Sequence, residues 1–274
     1  MTSGAQADEG KAEGKVEDKV VEFYDNFTEV FRDIWGDNLH VGYWYDDSDE
    51  AGIETATDQL TDQLIARLAP QPGRRILDVG CGVGEPAFRL ARSADVEVVG
   101  VSISSFQVGR ASERAGEHGL AERVSFRHAD AAELPFPDAS FDGAWAFESL
   151  IHMPDKEKVL REIKRVLRPG STLVLADMFS QPDTELTFQD IITTPEMAEY
   201  RAVIERAGLV VREFTDITAN TIAPQPVREK LAADLLARKD DVIPMTGPEE
   251  FERMVDGVRV PRSYGYLLAT VTTD

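Results

Sequence analysis

Asp78 stands two residues ahead of three glycines at alternate positions, Gly80, Gly82 and Gly84, in the run Arg75-Ile76-Leu77-Asp78-Val79-Gly80-Cys81-Gly82-Val83-Gly84. The apolar residues before the glycines read as a strand. The glycines read as a loop at its carboxyl end, where the backbone turns with positive φ and approaches a ligand closely. Pro86 suits the first turn of a helix that follows. This is the chemistry of a nucleotide-type cofactor loop. The spacing G-x-G-x-G lacks the last interval of the dinucleotide fingerprint G-x-G-x-x-G. A pyrophosphate is held by bare amides at a helix N-terminus, whereas an acid ahead of the glycines suits an adenosine derivative with no phosphate, an amino-acid moiety and a positive charge.

The segment resembles motif I of the class I S-adenosylmethionine-dependent methyltransferases. The resemblance implies S-adenosyl-L-methionine as cofactor, with Gly80, Gly82 and Gly84 packed against its amino-acid end and Asp78 helping to hold it. A second strand, Val96 to Val101, leads into Ser102-Ile103-Ser104-Ser105-Phe106-Gln107. A ribose-binding acid is expected about here, and none is present. A subset of small-molecule methyltransferases has a similar Ser-Ile/Leu-Ser-x-x-Gln segment, which implies that Ser102 and Gln107 bind ribose by neutral hydrogen bonds and that Ile103 packs on adenine. A third strand and loop runs from Val124 to Phe136, and the resemblance implies that Asp130 there accepts from the adenine amino group, with the Ala131 amide offered to the ring.

These residues need a frame to hold them. Apolar strands alternate with helices, among them a helix with Val159, Leu160, Ile163, Val166 and Leu167 on one face, then Arg168-Pro169-Gly170 and a buried strand, Ser171 to Asp177. That alternation predicts an α/β fold: a Rossmann-like, doubly wound, mostly parallel seven-stranded sheet with ligands at the carboxyl ends of its strands. Asp78, Gly80, Ser102, Asp130, His152 and Asp177 all fall at such ends. The expected organisation is a disordered tail over 1–15, an N-terminal aromatic lid over 16–55, the cofactor-binding core over 56–218, a cap insertion over 219–260 built around one amphipathic helix, and the last core strand over 261–274.

The lid is rich in aromatic residues between Val20 and Trp44. Both Tyr24-Asp25-Asn26-Phe27 and Leu39-His40-Val41-Gly42-Tyr43-Trp44 resemble the N-terminal lid of secondary-metabolite methyltransferases. Ring faces attract a sulfonium cation, so Tyr24 and Tyr43 are candidate cofactor contacts. With Glu148-Ser149-Leu150-Ile151-His152-Met153-Pro154-Asp155, the chain resembles actinobacterial tailoring methyltransferases of the rebeccamycin sugar O-methyltransferase type, near the ubiquinone and menaquinone enzymes. In the sugar enzymes two adjacent histidines and a strand aspartate are candidate bases. This chain keeps the second as His152 and the aspartate as Asp177, with Ile151 in place of the first. A hydroxyl nucleophile must lose its proton, and an imidazole with an ordinary pKa near 6.5 suits that task. Asp177 is expected to orient it, and Glu148 is a weaker alternative base.

Charge narrows the substrate. The 274 residues carry 50 acidic and 29 basic side chains, a formal charge of −21. Nucleic-acid binding rests on Lys and Arg neutralising phosphates, so a small-molecule acceptor is expected instead. The chain has no signal-peptide h-region, no apolar run long enough to cross a bilayer, one cysteine and no metal-ligand spacing among its four histidines. A cytoplasmic location without integral membrane association or metal is expected. The leading expectation is O-methylation of a natural product in antibiotic-type tailoring. N-methylation of an amine, C-methylation of a quinol or prenyl compound, and a non-catalytic cofactor-binding scaffold are the rivals.

Overall fold

The computed structural model describes residues 16–46, 48–182, 191–259 and 264–274. The expected tail at 1–15 lies outside the described residues. Seven strands form one sheet in the order β3-β2-β1-β4-β5-β7-β6, with ranges β1 Arg75–Val79, β2 Glu97–Ser102, β3 Val124–His128, β4 Phe141–Phe147, β5 Leu167–Ser180, β6 Val210–Asp216 and β7 Tyr264–Thr272. Strands β1 to β5 pair in parallel, and β7 enters antiparallel between β5 and β6. The expected doubly wound, mostly parallel sheet is the one observed. The strand order reverses between β1 and β4, which opens a crevice at their carboxyl ends.

Helices cover both faces, so the central strands bury residues on both sides and read as continuous apolar runs. Helices α2 (Ile53–Leu68), α3 (Glu85–Ser93) and α4 (Ser105–Glu117) precede β1, β2 and β3; α5 (Lys156–Val166) and α6 (Met197–Arg206) precede β5 and β6. Alternation along each strand divides the interior in two. Leu77, Val79, Leu173 and Leu175 join Ile163 of α5 and Ile204 of α6, while Ile76, Trp145 and Val174 join Leu64 of α2 and Phe88 of α3.

The lid helix α1 (Val16–Trp35) and three cap helices, α7 (Gln225–Ala237), α8 (Lys239–Thr246) and α9 (Pro248–Arg259), share a third apolar cluster around Phe23, Phe27, Leu231, Leu235, Phe251 and Val255. The described residues of the 219–260 segment thus hold three helices, where one is expected from the sequence. Pro226 and Pro248 sit in first turns, where a missing N–H removes no helical bond, while Pro244 lies inside α8. Contacts from its middle turns fix α1 to the core: Ser104 Oγ donates to Asp25 Oδ1 at 2.5 Å, and Arg110 reaches Glu29 at 3.1 Å.

Candidate active site

The crevice above β1 and β4 holds a cavity of about 360 Å3. Its walls include Tyr24, Asp78, Gly80, Gly82, Gly84, Ser102, Ile103, Gln107, Asp130, Ala131 and His152, so these sequence-identified residues are gathered into one space. The glycine loop forms the floor. Gly80 has φ +80°, and a Cβ there would lie 2.2 Å from the Ser149 Cβ; Ser149 in turn donates to the Val79 carbonyl at 2.6 Å. Gly82 has φ +51° and nothing within 4 Å of where its Cβ would stand, so the bare backbone leaves room for a ligand.

Asp78 is the electrostatic anomaly of the floor. It is 2% exposed, and its Oδ2 has no hydrogen-bond partner. Burial pushes its pKa up to about 7, opposed by the Trp145 indole on the neighbouring strand. An orphaned, buried carboxylate oxygen costs free energy until a donor satisfies it. A ligand carrying an ammonium group meets that need.

At the end of β2, Ser102 Oγ donates to Gln107 Oε1 at 2.9 Å and accepts from the Ser104 amide at 3.1 Å. Ser104 caps α4 by accepting from the Gln107 amide at 3.0 Å. Gln107 is 5% exposed, and with its oxygen engaged, its side-chain N–H groups remain to donate toward the cavity. Asp130 is exposed at the rim, where Oδ1 accepts from the Ala132 amide at 2.8 Å, beside the buried Ala131.

The opposite wall is built by a 3-10 turn, Leu150–His152, directly after β4. His152 Nδ1 lies 2.8 Å from the Ile191 carbonyl, which only accepts, so Nδ1 carries the proton. Nε2 therefore presents its lone pair, and the Tyr24 hydroxyl donates to it at 2.8 Å. Burial lowers the imidazole pKa to about 4, helped by the nearby Lys156 charge and opposed by the Ile191 carbonyl. Burial likewise raises the Tyr24 pKa, with the Glu148 and Asp177 charges adding to the effect.

Two expected site residues are placed elsewhere. Asp177 is not paired with His152: strand alternation turns it to the face of β5 covered by α6, where Oδ2 accepts from the Tyr200 hydroxyl at 2.6 Å. The Ile191 carbonyl takes the orienting position expected of Asp177. Tyr43 is absent from the cavity wall. Its ring meets Tyr45 edge-on at 5.4 Å, and its backbone bonds to Ala56 and Gln59.

His40, three residues earlier in the same motif, lines the cavity instead. Its ring lies 3.9 Å from that of Phe147, Nδ1 bonds to the Val41 carbonyl at 2.9 Å, and burial lowers its pKa to about 4. Its signal in the sequence was a polar residue inside an otherwise apolar and aromatic motif. Glu148 has φ +45°; its Oε1 accepts from the Val41 amide and the Tyr266 hydroxyl, each at 2.8 Å, which ties the lid loop to β7.

This combination of sheet order, glycine loop and acid defines a class I methyltransferase site, and comparison with known proteins agrees. Residues 77–175 match the family model described as a methyltransferase domain. The chain is 40% identical over 260 residues to 27-O-demethylrifamycin SV methyltransferase of Amycolatopsis mediterranei, covering 90% of this chain and 94% of that one. It is 38% identical to methyltransferase GfsG of Streptomyces halstedii, covering 90% and 91%. Among solved structures, the [4+2]-cyclase SpnF superposes with a TM-score of 0.84 at 31% identity, covering 94% and 96%. The chain belongs to the S-adenosylmethionine-dependent methyltransferases. It is a small-molecule methyltransferase, and S-adenosylmethionine is its cofactor. No helix among the described residues is long and apolar enough to cross a membrane.

Proposed function

We propose that the enzyme methylates a hydroxyl group of a natural product, with His152 as the general base. The observation that carries this reading is the tautomer of His152, whose Nδ1–H is held by the Ile191 carbonyl while Nε2 keeps its lone pair at the cavity wall. S-adenosylmethionine, when bound, supplies an electrophilic methyl group on a sulfonium. Asp78 receives the ammonium of its amino-acid end, the glycine loop accommodates that end, Ser102 and Gln107 hold the ribose, and Ile103, Asp130 and Ala131 hold the adenine.

An acceptor hydroxyl that replaces the Tyr24 O–H at Nε2 has its proton facing a lone pair already oriented to receive it. A base whose pKa burial has lowered to about 4 does not deprotonate an ordinary hydroxyl beforehand. The proton moves to Nε2 as the oxygen loses electron density to the methyl group, in the transition state. Tyr24, kept protonated by burial, remains a neutral donor that can hydrogen-bond the acceptor oxygen. Positioning of nucleophile and methyl in line supplies much of the remaining rate.

The lining also bears on the acceptor. Lys158 is the one Lys or Arg among the described lining residues, against Glu17, Asp37, Asp78, Glu85, Asp130, Glu148 and Asp155. This balance disfavours phosphate esters and other anionic substrates. The relatives named 27-O-demethylrifamycin SV methyltransferase and O-methyltransferase resE support transfer to oxygen. The likeness to SpnF raises ring closure as a second reading. Mass spectrometry of the product separates them, because cyclisation leaves the mass unchanged and methylation increases it. Loss of turnover in His152→Ala with intact cofactor binding is expected; near-normal kcat there removes the base from the account and favours an amine acceptor.

A further inference from the structure

Lys156 is the first residue of α5, capped by Asp155, and it is 6% exposed. Both circumstances disfavour a cation. Its charge opposes the positive end of the helix dipole, and among the described residues no carboxylate lies within ion-pair distance of its ammonium. A buried cation without an ion-pair partner is expensive, and an apolar side chain of similar volume is commonly as stable or more so. Burial lowers the Lys156 pKa to about 8, and the Asp177 charge on β5 is what favours the ammonium.

What the ammonium does is join two stretches of chain that flank His152. Nζ donates to the Met153 carbonyl at 3.0 Å and to Thr193 Oγ1 at 2.9 Å. Thr193 is further bound through its amide to the Ile151 carbonyl at 2.8 Å. Two residues before Thr193, the Ile191 carbonyl accepts from His152 Nδ1. The acceptor that fixes the imidazole thus belongs to a segment held against the 3-10 turn by Lys156 and Thr193. The charged and titratable groups around this junction are His152 on the turn, Asp177 on β5 with Tyr200 of α6 bonded to it, and Tyr24 of α1 on the far side of the imidazole.

We propose that Lys156 is a positioning residue for methyl transfer: by pinning Ile191–Thr193 to the turn that carries His152, it keeps the proton on Nδ1 and the lone pair on Nε2. The consequence for turnover rests on the reading of His152 as the base; the claim about the tautomer does not. Lys156 touches neither the acceptor nor the cofactor in this role. Its charge also opposes protonation of the imidazole, in keeping with the lowered pKa of His152.

The experiment measures the His152 tautomer by 15N–1H correlation of the imidazole nitrogens in Lys156→Met, with kcat and S-adenosylhomocysteine affinity on the same preparations. Wild type is expected wholly as the Nδ1–H form. Lys156→Met is expected to fold, to bind S-adenosylhomocysteine within about twofold of wild type, to show a mixture of Nδ1–H and Nε2–H forms, and to lose about tenfold or more in kcat. Thr193→Val, which removes the hydroxyl that receives the ammonium, is expected to shift the tautomer in the same direction and serves if Lys156→Met does not fold. An unchanged Nδ1–H population in the variants overturns the proposal. Failure of the base reading shows separately, as a His152→Ala enzyme with near-normal kcat while the tautomer still shifts in Lys156→Met.

Discussion

Replacing Asp78 by Asn removes the charge at the floor of the cavity while keeping shape, and the structure fixes opposite signs for its two effects. In the free enzyme the buried carboxyl has a pKa of about 7 against an ordinary 3.8, so the folded state binds its proton more tightly than the unfolded chain. That contribution to stability is present below about pH 4 and is lost as pH rises through about 7. Asp78→Asn is therefore expected to be more stable than wild type at pH 8, by an amount bounded by about 4 kcal/mol, the free energy of that pKa gap. Cofactor binding moves the other way. An ammonium that donates to Oδ2 makes a charge-assisted bond of about 1.5 to 3 kcal/mol, so the variant loses about 10- to 150-fold in affinity for S-adenosylhomocysteine. In wild type the ammonium competes with the proton on Asp78. Affinity is expected to level off between about pH 7 and 8 and to fall by up to tenfold per pH unit below that, reaching about 30-fold at pH 5.5. Isothermal titration calorimetry across that range reads the affinities of wild type and variant, and urea denaturation at pH 8 reads their stabilities. Asp177 has a pKa raised to about 7 as well, but it lies away from the cavity wall, and the variant separates the two. A wild-type affinity that is independent of pH between 5.5 and 7.5, or an Asp78→Asn enzyme that binds as tightly as wild type, refutes the assignment of the orphaned oxygen to the ammonium.

Four further outcomes follow from the same geometry. Gln107→Ala, which removes the free amide donor beside Ser102, is expected to weaken S-adenosylhomocysteine binding by about 1 to 2 kcal/mol with little effect on folding; unchanged affinity means that the ribose is held elsewhere. His152→Ala is expected to lower kcat by about 10² to 10⁴ without weakening cofactor binding. With the imidazole pKa near 4, turnover under saturating cofactor is expected to show no His152 protonation limb between about pH 5.5 and 8, and a limb near 6.5 that His152→Ala abolishes contradicts the burial argument. Gly80→Ala meets both a positive φ and the Ser149 side chain, so its denaturation midpoint is expected to drop by an amount equivalent to about 2 to 4 kcal/mol, and a loss below 1 kcal/mol means the loop relaxes around the added methyl.

How much of the site was legible follows from how local each part is. Asp78, the three glycines, Ser102 and Gln107 lie within short stretches at strand ends, where residue type and spacing suffice to place them in the cavity wall. The parallel sheet was equally legible, because strands covered on both faces read as apolar runs. The partner of His152 was hidden for a physical reason. It is a backbone carbonyl, which leaves no mark in residue type, contributed from 39 positions away. Asp177 had the right chemistry and the right strand end, yet the alternation of β5 turns it to the other face, onto Tyr200. In the lid motif, only the path of the loop decides that His40 rather than Tyr43 faces the cavity. Lys156 gave no signal, since a lysine at the start of an amphipathic helix ordinarily faces solvent.

The central claim is transfer of a methyl group to oxygen, and the chemical shift of the transferred carbon tests it most directly. Wild-type enzyme turned over with S-adenosylmethionine labelled with 13C at the methyl, on a panel of hydroxylated natural products that also carry amines and activated carbons, yields one labelled methyl for heteronuclear NMR. An O–13CH3 correlation in an acceptor of increased mass is the predicted result. A label on nitrogen or carbon, or a ring-closed product of unchanged mass with no label at all, contradicts it.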